Sequence, residues 1–180
     1  QQNEEQQPQP APTKNTAAAL AFRHMQRTVE THLDETMRRV AALINHPAPA
    51  LNFEWVSREG LTTLDDLKGK VVVLDFWATW CGPCVRTFPN LRELVSHYEG
   101  HAVEVVGVTS LQGAVHGLSS APIDCEGDPA KEHTLMREYI QKKNLTWTIA
   151  FSREEVFNPA WGVRGIPYMA IVAPDGTVRH

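Results

Sequence analysis

From Phe22 onward the apolar residues Phe22, Met25, Val29, Leu33, Met37, Val40 and Ile44 recur at steps of three and four. That spacing averages near the 3.6-residue helical period and predicts one amphipathic helix over about 16–45. Pro47 and Pro49 in "NHPAP" then stop it and make a linker. The stripe is expected to pack on the chain's own domain, with a dimer or partner-docking helix as the alternative. After Leu51 the pattern changes: "LNFEWV" alternates as a half-buried strand does, and "LTTLDDLKGK" predicts a short helical turn and a loop. Residues 71–77 are continuously apolar except for Asp75, the character of a central strand covered on both faces. A helix over about 82–98 follows, with Pro89 inside it as a predicted kink. The buried strand "VEVVGVTS" from 103 comes next, parallel to the first if the helix is a crossover.

Residues 111–128, "LQGAVHGLSSAPIDCEGD", carry Gly and Pro with little periodicity and are expected to form a loop insertion. A second helix is predicted over about 129–143, then the strand "TWTIAF". Ser152 with Glu155 three residues on is a capping-box pattern and predicts a short helix there. "YMAIVAPDGTVRH" is a strand, a tight turn and the start of its hairpin partner.

Composition narrows the function classes. A chain of 180 residues with 42% hydrophobic positions can bury one core and carry an appendage. Its net charge of -4 comes without a basic block or a basic-aromatic stripe, so nucleic acid is not an expected partner. No apolar run approaches the roughly 18 to 20 residues of a spanning helix. The start, "QQNEEQQPQPAPTK", has no initiator Met, basic n-region or apolar h-region, so any export signal or membrane anchor is expected to be absent already. Its Gln and Pro content predicts a disordered tether over 1–14, followed by helix and linker over 15–49 and a domain over 50–180. His24 and His32 have no Cys or carboxylate at ligand spacing, and no metal is expected there.

The chemistry lies in "CGPC", where Cys81 and Cys84 stand two residues apart just after the apolar strand. A zinc site needs four ligands, and the only other cysteine, Cys125, stands alone. A permanent staple across so small a loop constrains the unfolded chain little. A redox pair explains more, because a helix N-terminus lends positive potential to the first sulfur and favours its thiolate, the nucleophile of thiol–disulfide exchange.

"DFWATWCGPC" followed by Pro89, and "RGIPYMAIVAPDG" further on, resemble the thioredoxin superfamily, and the "FWATWCGPC" wording with a long insertion is most similar to its exported TlpA-like branch. The resemblance covers about residues 50–180. It implies an α/β, thioredoxin-like fold: a central mixed sheet flanked by helices, here with an N-terminal helical extension and a central insertion. It also implies that Cys81 attacks a partner's disulfide, that Cys84 resolves the mixed disulfide, and that Asp75 is the buried acid assisting proton transfer at Cys84. Trp80, Gly82, Pro83, Ile166 and Pro167 would meet the substrate, with Ile166–Pro167 a cis bond. The alternatives are a solvated strand-end Asp75 and a Pro167 that only bends a strand entry. Cys81 is expected to be the more exposed sulfur and Cys84 the shielded one.

Two departures matter. Thr87 stands where some cytochrome-maturation members carry Glu, which weakens a dedicated haem-maturation role, and Cys125 is expected to be an inert, partly buried thiol. A thioredoxin-type domain ends with a complete hairpin and a last helix, neither of which fits after His180, so a longer parent protein is expected. The function expected is a thiol–disulfide oxidoreductase in an extracytoplasmic, periplasmic or cell-envelope compartment, with protein dithiols or disulfides and an upstream redox partner, no cofactor, and membrane contact only through a missing anchor. The alternatives are a non-catalytic binding module, docking through its helix or the 111–128 loop, and a thiol peroxidase.

Overall fold

The structure, a computed structural model, describes residues 37–180. The predicted tether over 1–14, most of the predicted helix over 16–45, and His24 and His32 lie outside the described residues. The chain divides into two units, 1–38 and 39–180. Of the first, only Met37 and Arg38 are described, both helical and exposed.

In the second unit, residues 39–43 are helical. The helix ends before the predicted 45 because Asn45 takes a left-handed backbone, φ 63°. Leu43, Ile44 and Ala48 pack on the core, and Ile44 and Pro47 bridge to Val178 and Thr177.

Five strands then form one sheet: β1 (Phe53–Val56), β2 (Val71–Phe76), β3 (Val103–Thr109), β6 (Thr148–Ser152) and β7 (Tyr168–Val172), in the order β1-β6-β3-β2-β7. β2, β3 and β6 run parallel, while the edge strands β1 and β7 pair antiparallel with β6 and β2. Alternation along β2 builds two cores. Val72, Leu74 and Phe76 join Val106, Val108, Leu64, Leu67 and Trp161 on one face. Val73 and Trp77 join Phe88, Met136, Tyr139, Trp147 and Ile149 on the other, the face that holds both motif cysteines.

The helices α1 (Gly82–His97) and α2 (Pro129–Lys143) both bury side chains in that second layer. Pro89 lies inside α1 and removes the N–H that would bond the carbonyl one turn back. For α2, Asp128 caps the start by accepting from the Lys131 N–H at 3.0 Å, Pro129 occupies the first turn where its missing N–H costs nothing, and Asn144 ends it in a left-handed conformation.

Two local expectations need correction. The insertion is not a plain loop: β4 (Ala114–Val115) and β5 (Ile123–Asp124) pair antiparallel as a small second sheet. Ser152 does not cap a helix, because it still belongs to β6 and pairs with Phe53. The nearby helical turn, Pro159–Trp161, is instead capped by Asn158, whose side chain accepts from the Ala160 N–H at 3.0 Å.

Candidate active site

The loop from β2 to α1 is held at both ends. Trp77 N–H donates to Val108 O at 3.0 Å, extending the sheet, and Cys81 N–H donates back to Ala78 O at 3.1 Å, closing a turn over 78–81. Cys81 is then the cap of α1, and its Sγ accepts the Cys84 N–H at 3.2 Å. The two cysteines form a disulfide with Cα atoms 5.3 Å apart. Pro83 sits in the first turn, where its missing N–H is no loss. The Cys84 N–H and the positive end of the helix thus meet at the sulfur that would carry charge on reduction.

Cys84 is 0% exposed and Cys81 4%. The expected order holds, but Cys81 is buried, against the exposure expected of it, because Trp77, Ala78 and Ile166 share its packing layer. The Ile166–Pro167 bond is cis. Trp80 is 46% exposed and its ring centroid lies 6.3 Å from that of Phe157, an equally exposed side chain. Phe157 escapes sequence reasoning: it is remote in the chain from the motif and follows a stretch whose local pattern suggested a helix.

Asp75 is 1% exposed. It alternates with Val73 and Trp77 and so faces the layer of the two cysteines. Neither of its carboxylate oxygens has a hydrogen-bond partner among the described residues. Burial pushes its pKa up to about 7, since an unpaired carboxylate loses hydration with nothing to replace it. The solvated strand-end alternative does not hold.

The insertion supplies the other wall. Thr79 donates from both its N–H and its Oγ1 to Gln112 Oε1, at 2.9 and 2.7 Å, and its Oγ1 accepts the His116 N–H at 3.2 Å. Glu132, buried at the start of α2, accepts the Gln112 and Gly113 N–H groups at 2.8 and 3.0 Å. Cys125 is buried in the same layer, and burial, followed by the Glu132 carboxylate, pushes its thiol pKa up. Thr87 Oγ1 donates to Cys84 O at 2.7 Å within α1. A cleft of about 680 Å³ lined by Arg58, Arg92, Glu104 and Trp147 lies toward the other end of the parallel strands and holds none of these residues.

A family model described as Redoxin matches residues 44–180. The thiol-disulfide oxidoreductase ResA of Oceanobacillus iheyensis is 25% identical over 140 residues, covering 76% of this chain and 63% of that protein. Its counterpart in Bacillus subtilis is 29% identical over 115 residues, covering 64% and 54%. The chain therefore spans less than two thirds of either relative. Among solved structures, one described as a thiol:disulfide interchange protein DsbE, from Chlorobium tepidum, superposes with a TM-score of 0.55 at 27% identity, covering 76% of this chain and 82% of that one. A thiol:disulfide interchange protein from Bacteroides sp. shares the fold at a TM-score of 0.57 and 18% identity, covering 76% and 78%.

Proposed function

The chain belongs to the Redoxin family, and on that premise we propose that it is a thiol–disulfide oxidoreductase that exchanges disulfides with protein partners through Cys81 and Cys84. The observation that carries the reading is the seat of the pair: Cys81 Sγ caps α1 and accepts the Cys84 N–H. Such a site stabilises a thiolate. The naming of the ResA and DsbE relatives supports the same chemistry.

In the reducing direction, the Cys81 thiolate forms a bond to one sulfur of the partner's disulfide, and the other sulfur leaves with the electron pair and takes a proton. The Cys84 thiol gives its proton to the Asp75 carboxylate, and the Cys84 thiolate attacks Cys81 Sγ. The partner's second sulfur then leaves as a thiolate and takes up the proton that passed to Asp75, which returns to its carboxylate form. The partner gains two electrons and two protons, and Cys81–Cys84 returns to the disulfide. The reverse sequence oxidises a partner dithiol. An upstream dithiol or disulfide protein resets the couple in either case.

Asp75 suits the proton step because burial holds its pKa near neutrality, where it can both accept and return a proton. Trp80, Gly82, Pro83, Ile166 and Pro167 form the surface on which the partner chain rests. The resemblance to the exported branch supports an extracytoplasmic location, which fractionation of cells expressing the full-length protein would test. The catalytic reading itself is tested by reductase-coupled insulin reduction. Turnover that Cys81→Ser abolishes supports it, and no turnover by the intact protein favours a binding module.

A further inference from the structure

We propose that Gln112 and Glu132 are positioning residues for the nucleophile: through Thr79 they hold the turn that presents Cys81. This rests on the oxidoreductase reading and deepens it, since it assigns the insertion a task at that same site.

The chain of contacts is continuous. Thr79 is the second residue of the turn that Cys81 N–H closes onto Ala78 O, so its placement sets where Cys81 Sγ meets the start of α1. Both donors of Thr79 converge on one oxygen, Gln112 Oε1. The same carboxamide donates from Nε2 to Thr109 Oγ1 at 3.2 Å, at the end of β3. Its orientation is thereby fixed, because the flipped amide would turn its own donors on the two donors of Thr79. The backbone at 112–113 is anchored in turn by the two oxygens of Glu132, which is 1% exposed.

Two hydrogen bonds from adjacent N–H groups of the insertion replace the water that the buried Glu132 carboxylate has lost. A surface loop that merely docked a partner would not need a buried acid from α2 or a glutamine reaching the active-site turn. Removing Gln112 leaves two donors of the turn without their acceptor and lets Cys81 Sγ drift from the Cys84 N–H. Its thiolate then loses part of the helix-terminal stabilisation.

The test is the pH profile of Cys81 alkylation by iodoacetamide in the purified, reduced protein, with the modified residue located by mass spectrometry. Gln112→Ala is expected to slow alkylation about tenfold and to move its midpoint to higher pH. Glu132→Gln should shift both in the same direction, and the double variant should be no slower than Gln112→Ala alone, because the two act through one path. Thr79→Val keeps the backbone donor and should show a smaller version of the same shift, which keeps the test available if a Gln112 variant folds poorly. Thr148→Val loses a buried hydrogen bond to Glu104, 3.2 Å long and near the other end of the parallel strands. It should cost comparable stability and leave Cys81 unchanged. Alkylation of Gln112→Ala at the parent rate and midpoint, or full additivity of the two substitutions, would overturn the proposal. Insulin turnover by the parent reports on the oxidoreductase reading separately, since alkylation is read whether or not a protein substrate is reduced.

Discussion

Asp75 and Gly107 face each other in the parallel register of β2 and β3, so the strand beside the buried acid brings no side chain to neutralise it. The glycine is required by what leans over it. A Cβ there would lie 2.7 Å from Ile149 Cδ1, 2.9 Å from Trp77 Nε1 and 3.0 Å from Trp147 Nε1. Gly107→Ala is therefore expected to destabilise the protein by about 1–3 kcal/mol through overpacking. Denaturant unfolding measures it, and an unchanged midpoint would contradict the packing described.

Asp75 should make stability fall as pH rises. Its folded pKa, about 7, lies above the ordinary 3.8, so between those values the unfolded chain has released a proton that the folded chain still holds. The penalty is absent below about pH 4, grows up to about pH 7 and stays constant above. Asp75→Asn is expected to stabilise the protein at pH 8 by about 2–4 kcal/mol and to have little effect at pH 3 to 4. Equal effects at both pH values would mean that Asp75 is not buried as a free acid.

The two sulfurs should divide the labour. Cys84, fully buried in the first turn of α1, is expected to reach only a sulfur already attached to Cys81. Cys84→Ser should accumulate mixed disulfides with disulfide substrates, visible on non-reducing gels, and Cys81→Ser should capture nothing. Capture by Cys81→Ser alone would invert the assignment.

Cys125 should stay silent in the native state. It is buried, and both burial and the neighbouring Glu132 disfavour its thiolate. Iodoacetamide is expected to modify Cys81 of the reduced protein while leaving Cys125 unmodified until denaturant is added. Native labelling of Cys125 at a similar rate would contradict its packing.

What could be read in advance was local. The helix at 129–143 announces itself through Asp128, Pro129 and a basic last turn at Lys142 and Lys143, all cues within a few residues of its ends. The strand before Cys81 and the helix after it are equally plain, since continuous apolarity and the motif abut. Most of the failures have a long-range cause. Ser152 matches a capping box, but its pairing with Phe53, distant in the chain, keeps it in a strand. The hairpin of β4 and β5 is too short for any period to show. The burial of Cys81, the approach of Phe157 to Trp80 and the bonds from Thr79 to Gln112 depend on segments that only folding brings together.

The most direct test of the account is the reduction potential of the Cys81–Cys84 couple, measured by equilibrating the protein against glutathione buffers of graded ratio. A working exchange couple should titrate reversibly between about -270 and -120 mV, the span of redox-active proteins of this type. A bond that stays oxidised below about -300 mV would mark a structural staple and contradict the oxidoreductase reading.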